Sequence, residues 1–149
     1  MDEHISFWFS GFEKGIEALT PQQRETFFCE CGKNCVKQGT LDFYRQLYDR
    51  AAGDLDVFFQ KANEIPGLQA EILVPGHKYA FGFTECSCML HTQGYVNTPQ
   101  LCECSRQSVL FVLHTLWPEV KFSVELTASI LRGGDMCRLV ISAQDHEAW

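Results

Sequence analysis

The spacing of apolar residues changes at Pro66–Gly67, and this change limits the folds that the chain can adopt. Before this point apolar residues recur every three or four positions, which predicts helices. After it they alternate with polar residues, which predicts strands. Since the helices and strands are grouped along the chain, the pattern favours an α+β fold. We expect one domain over residues 1–149, with a helical part at about 1–67 and a sheet plus a long helix at about 68–149.

Four helices are predicted before Gly67. Thr20 and Pro21 together indicate a helix start, because Thr caps helices well and Pro fits the first helical position. Pro66 and Gly67 indicate where the last of these helices stops. The predicted helices run from Ile5 to about Leu19, from Pro21 to about Lys37, from a cap at Thr40 through Tyr48, and from Gly53–Asp54 through Ala62.

Four strands and one long helix are predicted after Gly67. The helix runs from about Leu101 to Trp117, and residues 86–99 read as a loop. A Gly133–Gly134–Asp135 turn precedes the last strand. The apolar residues that define the strands are Ala70, Ile72 and Val74; Tyr79, Phe81 and Phe83; Phe122, Val124 and Leu126; and Cys137, Leu139 and Ile141. The expected sheet is antiparallel, with the long helix crossing between two hairpins.

The charge and the hydropathy exclude some classes of protein. Twelve basic and nineteen acidic residues give a net charge of −7, which argues against binding to nucleic acid. No apolar run approaches the length of a transmembrane helix, so no membrane association is expected. The acidic start at Asp2–Glu3 is unlike a secretory signal peptide. These features predict a cytoplasmic protein.

Eight cysteines are the outstanding compositional feature. In a chain without an export signal, clustered cysteines favour metal or redox chemistry over disulfides. Disulfides remain an alternative if an export signal has been trimmed from the chain. Two Cys-x-Cys pairs, Cys86/Cys88 and Cys102/Cys104, are separated by thirteen residues and resemble the paired ligands of a structural zinc site. Buried thiols and redox-active thiols are the alternatives.

A second group of cysteines lies on the second predicted helix. Cys31 and Cys35 are four residues apart and share a helix face, whereas Cys29 points elsewhere. They could add ligands to the same metal site or form another one. His91, three residues after Cys88, is a further candidate ligand, although a surface or hydrogen-bonded histidine is the simpler interpretation.

The end of the chain resembles the vinyl-reductase domain family. Cys102 precedes a long helix, Glu125 falls on the next strand, and Gly133-Gly134-Asp135-Met136-Cys137 leads into an apolar strand. The resemblance implies zinc beside a buried pocket for a small apolar molecule, and a homodimer. The middle cysteine of the family would fall near Ala128 or Ser129, so Cys104, Cys86 or Cys88 would have to replace it. The aminothiazoline-carboxylate hydrolase-like proteins are similar in the same region.

These observations define a set of candidate residues. The first-choice zinc ligands are Cys86, Cys88, Cys102, Cys104, Glu125 and Cys137, and the second choice is Cys31, Cys35 and His91. Glu125 has a simpler interpretation as a solvated carboxylate on the polar side of its strand, and Cys137 as a core residue. Aromatic residues that could line a pocket, or simply pack a core, are Phe58, Phe59, Tyr79, Phe81, Phe83 and Phe111.

Two functional hypotheses follow from this set. The first is a noncatalytic zinc-containing domain that binds or senses a small apolar or aromatic molecule, with a structural metal. The second is an enzyme, either a hydrolase or a thiol-dependent enzyme, that uses Cys102, Cys104 or a zinc-bound water. The sequence contains no phosphate loop, dinucleotide fingerprint or His-Glu-x-x-His motif. An interaction module in which the metal only stabilises the fold is a third possibility.

Overall fold

The computed structural model of the chain describes residues 2–37, 39–84, 89–128 and 137–144. Within these ranges the elements follow one another in two groups, which confirms the predicted α+β class. The elements in order are α1 (Glu3–Ala18), α2 (Pro21–Lys37), α3 (Thr40–Arg50), α4 (Leu55–Ala62), β1 (Leu68–Val74), β2 (Lys78–Phe83), α5 (Met89–Thr92), a 3₁₀ turn (Pro99–Leu101), α6 (Cys102–Leu116), β3 (Lys121–Ala128) and β4 (Cys137–Gln144).

Local side-chain caps explain where the first helices begin. Asp2 accepts hydrogen bonds from the backbone of His4 and Ile5 at the start of α1. At the start of α2, Thr20 Oγ1 accepts from Gln23 N at 3.1 Å, and Gln23 Oε1 accepts from Thr20 N at 2.9 Å. This reciprocal pair is a capping box. The start that the sequence predicted at Thr20–Pro21 is therefore confirmed.

The third helix starts one residue earlier than predicted. Thr40 is its first residue, and Gly39 occupies the cap position with φ of +135° and no side-chain cap. A glycine is favoured there because residues with a side chain rarely adopt that backbone conformation. Asp54 caps α4 next to the start predicted at Gly53–Asp54, and its side chain accepts a hydrogen bond of 3.1 Å from Val57 N.

The four described strands form one antiparallel sheet in the order β1-β2-β4-β3. The register places Tyr79 of β2 and Val124 of β3 on either side of Ile141 of β4. These three side chains are buried, with Tyr79 and Ile141 at 0% exposure. The hairpins β1–β2 and β3–β4 are separated in sequence by α6, as predicted, and β2 pairs with β4 to join them.

Two clusters of buried apolar side chains lie in the described part of the chain. The larger one joins α3, α4 and α6 to the sheet, and Trp117 anchors it by donating a hydrogen bond of 2.8 Å from Nε1 to the Gly53 carbonyl. The smaller one joins α1, α2 and the segment before α6 through Ile16, Phe28, Val96 and Leu101. Helices α2 and α6 contribute side chains to both clusters.

The segment predicted as a loop at 86–99 has more structure than expected. Its described part contains the short helix α5, and Pro99 begins a 3₁₀ turn that leads directly into α6. The predicted turn at Gly133–Gly134–Asp135 lies outside the described residues. Among the described helices, none has both the length and the apolar character that crossing a bilayer requires.

Candidate functional site

A cavity of about 600 Å³ lies among α2, α3, α4, α6 and the sheet. Its wall is predominantly apolar, and it includes side chains from both apolar clusters. The described residues that line it are Phe12, Phe28, Cys31, Cys35, Val36, Thr40, Tyr44, Phe58, Phe59, Phe81, Phe83, Leu90, Leu101, Cys102, Cys104, Ser105, Ser108, Val109, Val112, Leu113, Cys137 and Ile141.

Four of the six aromatic residues proposed from the sequence line this cavity. Phe58 and Phe59 of α4 meet Phe81 and Phe83 of β2 in its wall. Tyr79 is fully buried behind Phe59, with which it stacks at a ring distance of 4.3 Å. Phe111 does not line the cavity either; the ammonium group of Lys37 lies 5.7 Å from its ring centre. Four of the six aromatic residues therefore line a cavity, as the pocket interpretation predicted, and Tyr79 packs in the core, as the alternative predicted.

Five of the cysteines that the structure describes line the same cavity, and they come from three separate elements. Cys31 and Cys35 belong to α2, Cys102 and Cys104 to the first turn of α6, and Cys137 to the start of β4. Cys102 is buried, Cys104 and Cys137 are partly buried, and Cys31 and Cys35 are solvent-accessible. The cavity wall thus combines two cysteines of the second-choice ligand set, Cys31 and Cys35, with three of the first-choice set, Cys102, Cys104 and Cys137.

The polar character of the cavity comes from thiols and hydroxyls. Thr40, Tyr44, Ser105 and Ser108 supply the hydroxyls, and none of the described lining residues is Asp, Glu, Lys, Arg or His. Burial raises the pKa of Tyr44 to about 12, so its hydroxyl is neutral over the physiological range. The described wall therefore carries no full charge unless a thiol ionises.

The described residues contain no group of three or more Cys, His, Asp or Glu side chains placed to hold a metal ion. Glu125 projects from the exposed side of β3, and His91 belongs to α5, with its Nδ1 3.4 Å from the Val96 carbonyl oxygen. Neither lines the cavity. Cys86 and Cys88 lie outside the described residues. The zinc assignment therefore stays a prediction.

Helix α2 packs closely on α6 beside the cavity, a contact that the sequence analysis did not identify. Gly32 makes this approach possible, because a Cβ there would lie 2.9 Å from Ser108 N and 3.0 Å from Cys104 O. Ser108 Oγ lies 3.2 Å from the Gly32 carbonyl oxygen and 2.9 Å from the Cys104 carbonyl oxygen. The only sequence signal was a glycine inside a helical pattern, between two cysteines that share a face.

Arg106 of α6 is a second connection that the sequence analysis missed. Its Nε donates to both carboxylate oxygens of Glu103, at 2.8 and 2.7 Å, and one terminal nitrogen donates to the Val124 carbonyl at 3.0 Å. The other terminal nitrogen bonds Glu25 of α2. Hydrogen bonds to Glu103 raise the pKa of Arg106 above its usual value. The guanidinium thereby ties α2, α6 and β3 together next to the cavity.

The fold and the cavity define an α+β domain with an internal apolar site lined by thiols. No protein-family model matches the sequence, and no curated protein matches it significantly. Among solved structures, it is similar to an H-NOX protein from S. oneidensis described in the Fe(II)NO ligation state. The TM-score is 0.48 and the identity 15%, over 92% of this chain and 72% of that chain. The functional assignment rests on the chain's own residues, since distantly similar folds carry different functions.

Proposed function

We propose that this chain is a noncatalytic binding domain for one small apolar or aromatic molecule, held in the cavity between α2, α6 and the sheet. The observation that carries this proposal is the cavity itself. Its volume of about 600 Å³ falls in the usual range for small-molecule sites, and its wall combines apolar side chains with a few polar groups.

The composition of the wall favours an uncharged ligand. The described lining residues are predominantly apolar and none of them carries a charged side chain, and Phe58, Phe59 and Phe81 form a closely packed part of the wall. A charged ligand would lose its hydration there without gaining an opposite charge from the described wall. The thiols and hydroxyls are suited to orienting one polar group of an otherwise apolar molecule.

The enzyme alternative has less support from the described residues. A thiol enzyme using Cys102 or Cys104 needs a base or acid within reach of the sulfur. The described cavity wall contains hydroxyls and thiols, and it contains no histidine or carboxylate. The binding hypothesis requires no such group.

Zinc is a separate part of the expectation. Thiolates are a donor type that zinc prefers, and five thiols from the described part of the chain line the cavity. The described residues nevertheless provide no group that could hold the ion by itself. A zinc site here would therefore need at least one ligand from outside the described residues, and Cys86 and Cys88 are the ones that the sequence predicts. Metal analysis of anaerobically purified protein tests this: near-stoichiometric zinc that is lost from a Cys86→Ser/Cys88→Ser variant would support the site.

The binding proposal is tested by titration with N-phenyl-1-naphthylamine, an uncharged apolar dye whose fluorescence rises in an apolar environment. We expect saturable binding of one dye per chain. Val109→Phe fills part of the cavity, because Val109 lines it, and should abolish or strongly weaken binding. Leu110→Phe is the matched control, because Leu110 is the next residue of α6 and does not line the cavity.

Two outcomes would contradict the proposal. One is an absence of saturable binding by the folded wild-type chain. The other is an equal loss of dye affinity in Val109→Phe and Leu110→Phe, because the binding would then not depend on the cavity. Circular dichroism of each variant confirms that the fold is retained before the affinities are compared.

A further inference from the structure

Two of the cavity thiols differ from the others in their accessibility. Cys31 and Cys35 lie on α2 four residues apart, so they project from the same side of the helix. Both line the cavity, and both are solvent-accessible. A molecule bound in the cavity would therefore meet two thiols that water and small reagents can also reach.

The same helix carries a third thiol in a different position. Cys29 is partly exposed and does not line the cavity. All three are cysteines of one helix and are separated by at most six residues. Cys31 and Cys35 differ from Cys29 in two respects: they are more exposed to solvent, and they line the cavity.

We propose that Cys31 and Cys35 form a covalent capture site for apolar electrophiles, specifically α,β-unsaturated carbonyl compounds that first bind in the cavity. This inference rests on the proposed function and narrows the class of ligand. The described wall favours binding of an uncharged apolar molecule, because it is mostly apolar and has no charged side chain. A thiol reacts readily with a soft electrophilic carbon, so the bound molecule should contain one. Hydroxyls of the same wall, from Thr40 and Ser105, are suitable donors to the carbonyl oxygen of the ligand.

The reaction is an addition that needs no oxidant or reductant. A thiol loses its proton to water, and the resulting thiolate sulfur forms a bond to the β-carbon of the ligand. The electron pair of the carbon–carbon double bond moves towards the carbonyl, giving an enolate. The enolate then takes a proton from water at the α-carbon, which leaves a saturated carbonyl compound joined to sulfur as a thioether.

Binding of the electrophile in the cavity should favour reaction at Cys31 and Cys35 over reaction at Cys29. The cavity would hold the electrophilic carbon beside Cys31 and Cys35, which converts a collision between two molecules into a reaction within one complex. Cys29 gains nothing from this, because it lies off the cavity. The preference for Cys31 and Cys35 over Cys29 should therefore be larger for electrophiles that the cavity can bind than for electrophiles that it cannot bind.

The experiment compares two electrophiles on the full-length reduced chain. Benzylideneacetone is an apolar aromatic enone, and acrylamide is a small polar electrophile that reports the intrinsic accessibility of each thiol. Peptide mass spectrometry follows the adducts on Cys29, Cys31 and Cys35 over time. Cys31→Ser and Cys35→Ser variants verify the assignments, and Cys29→Ser is the matched control.

We expect the ratio of cavity-thiol labelling to Cys29 labelling to be at least about tenfold higher with benzylideneacetone than with acrylamide, a small part of what proximity can supply. The rate at Cys31 and Cys35 should saturate with enone concentration, and Val109→Phe should remove this selectivity. Equal ratios for the two reagents would overturn the proposal.

A saturated analogue separates this proposal from the binding function. 4-Phenyl-2-butanone has the shape of the enone and lacks the reactive double bond, so it tests occupancy alone. If it displaces the dye while the labelling ratios are equal, the binding function stands and the covalent site is wrong. If it fails to displace the dye and the ratios are also equal, neither proposal stands for this class of molecule.

Discussion

The Gly32 carbonyl oxygen lies 3.2 Å from the Ser108 hydroxyl, and a Cβ on Gly32 would lie only 2.9 Å from the Ser108 backbone nitrogen. The missing side chain therefore sets the distance between α2 and α6. Because Cys31 and Cys35 flank this contact on one helix, and Cys104 and Ser108 on the other, the same contact fixes one side of the cavity.

We expect Gly32→Ala to destabilise the fold. In an open helix this change adds roughly 0.5–1 kcal/mol of stability, because alanine is the better helix former. Here the added carbon meets backbone atoms, which cannot move aside like the end of a side chain, and overpacking costs about 1–3 kcal/mol. Urea unfolding measures the difference. Gly15→Ala in α1 is the control, because a Cβ there meets nothing within 4 Å; a similar gain in both variants would contradict the close contact.

We expect the ion pairs of Arg106 to contribute much more to the free energy of unfolding than the ion pair between Lys33 and Glu30. The Arg106 side chain is 17% exposed and bonds carboxylates on α2 and α6, whereas Lys33 meets Glu30 at 3.5 Å with both side chains more exposed. Arg106→Met should cost about 1–3 kcal/mol of unfolding free energy, because it leaves partly buried acceptors without their donor. Lys33→Met should change it by less than about 0.5 kcal/mol. Equal effects in urea unfolding would contradict the bridging role of Arg106.

These contacts show how far the sequence could predict the site. Local signals were sufficient for the start of α2, because Thr20, Pro21 and Gln23 lie within four consecutive residues. They were not sufficient for the short helix α5, which lies in a segment predicted as a loop. The shared face of Cys31 and Cys35 also follows from their spacing. The pairing of Arg106 with Glu25 does not, since 81 residues separate them and only the packing of α2 on α6 brings them together. The same packing brings Cys31 and Cys104 to one cavity.

The homodimer that the family resemblance implies can be tested at an exposed apolar surface. Trp8 is 63% exposed and stacks on Phe12 at 5.8 Å, and Phe12 lies 6.0 Å from Phe27, which is 43% exposed. We expect a second copy of the chain to cover this surface, since contiguous exposed apolar groups mark interaction sites. Light scattering should give twice the chain mass for the wild type and the chain mass for Trp8→Glu. Phe43→Glu, at another exposed aromatic residue, should remain dimeric. A monomeric wild type would contradict the dimer.

Two buried tyrosines predict a loss of stability at alkaline pH. Burial raises the pKa of Tyr44 to about 12. Burial, together with the hydrogen bond of 2.7 Å that its hydroxyl donates to Asp56, raises the pKa of Tyr79 as well. In the unfolded chain both ionise near pH 10. The folded state therefore keeps protons that the unfolded state releases. Their stabilising contribution is complete below about pH 10 and falls as the pH rises above it; for Tyr44 it is lost as the pH rises to about 12. Each tyrosine should lower the unfolding free energy by up to about 1.4 kcal/mol per pH unit in this interval.

Urea unfolding between pH 9 and pH 11.5, with phenolate absorbance recorded in parallel, measures this loss of stability, which we expect to begin near pH 10. Tyr44→Phe should make the unfolding free energy fall less steeply with pH, because only Tyr79 of the two tyrosines then still contributes to the decrease. Tyr79→Phe should do the same and in addition lower the stability at neutral pH by about 0.5–1.5 kcal/mol, because Asp56 loses one of its two donors. If both tyrosines ionise near pH 10 while the chain is still folded, their hydroxyls are more exposed to water than the structure places them.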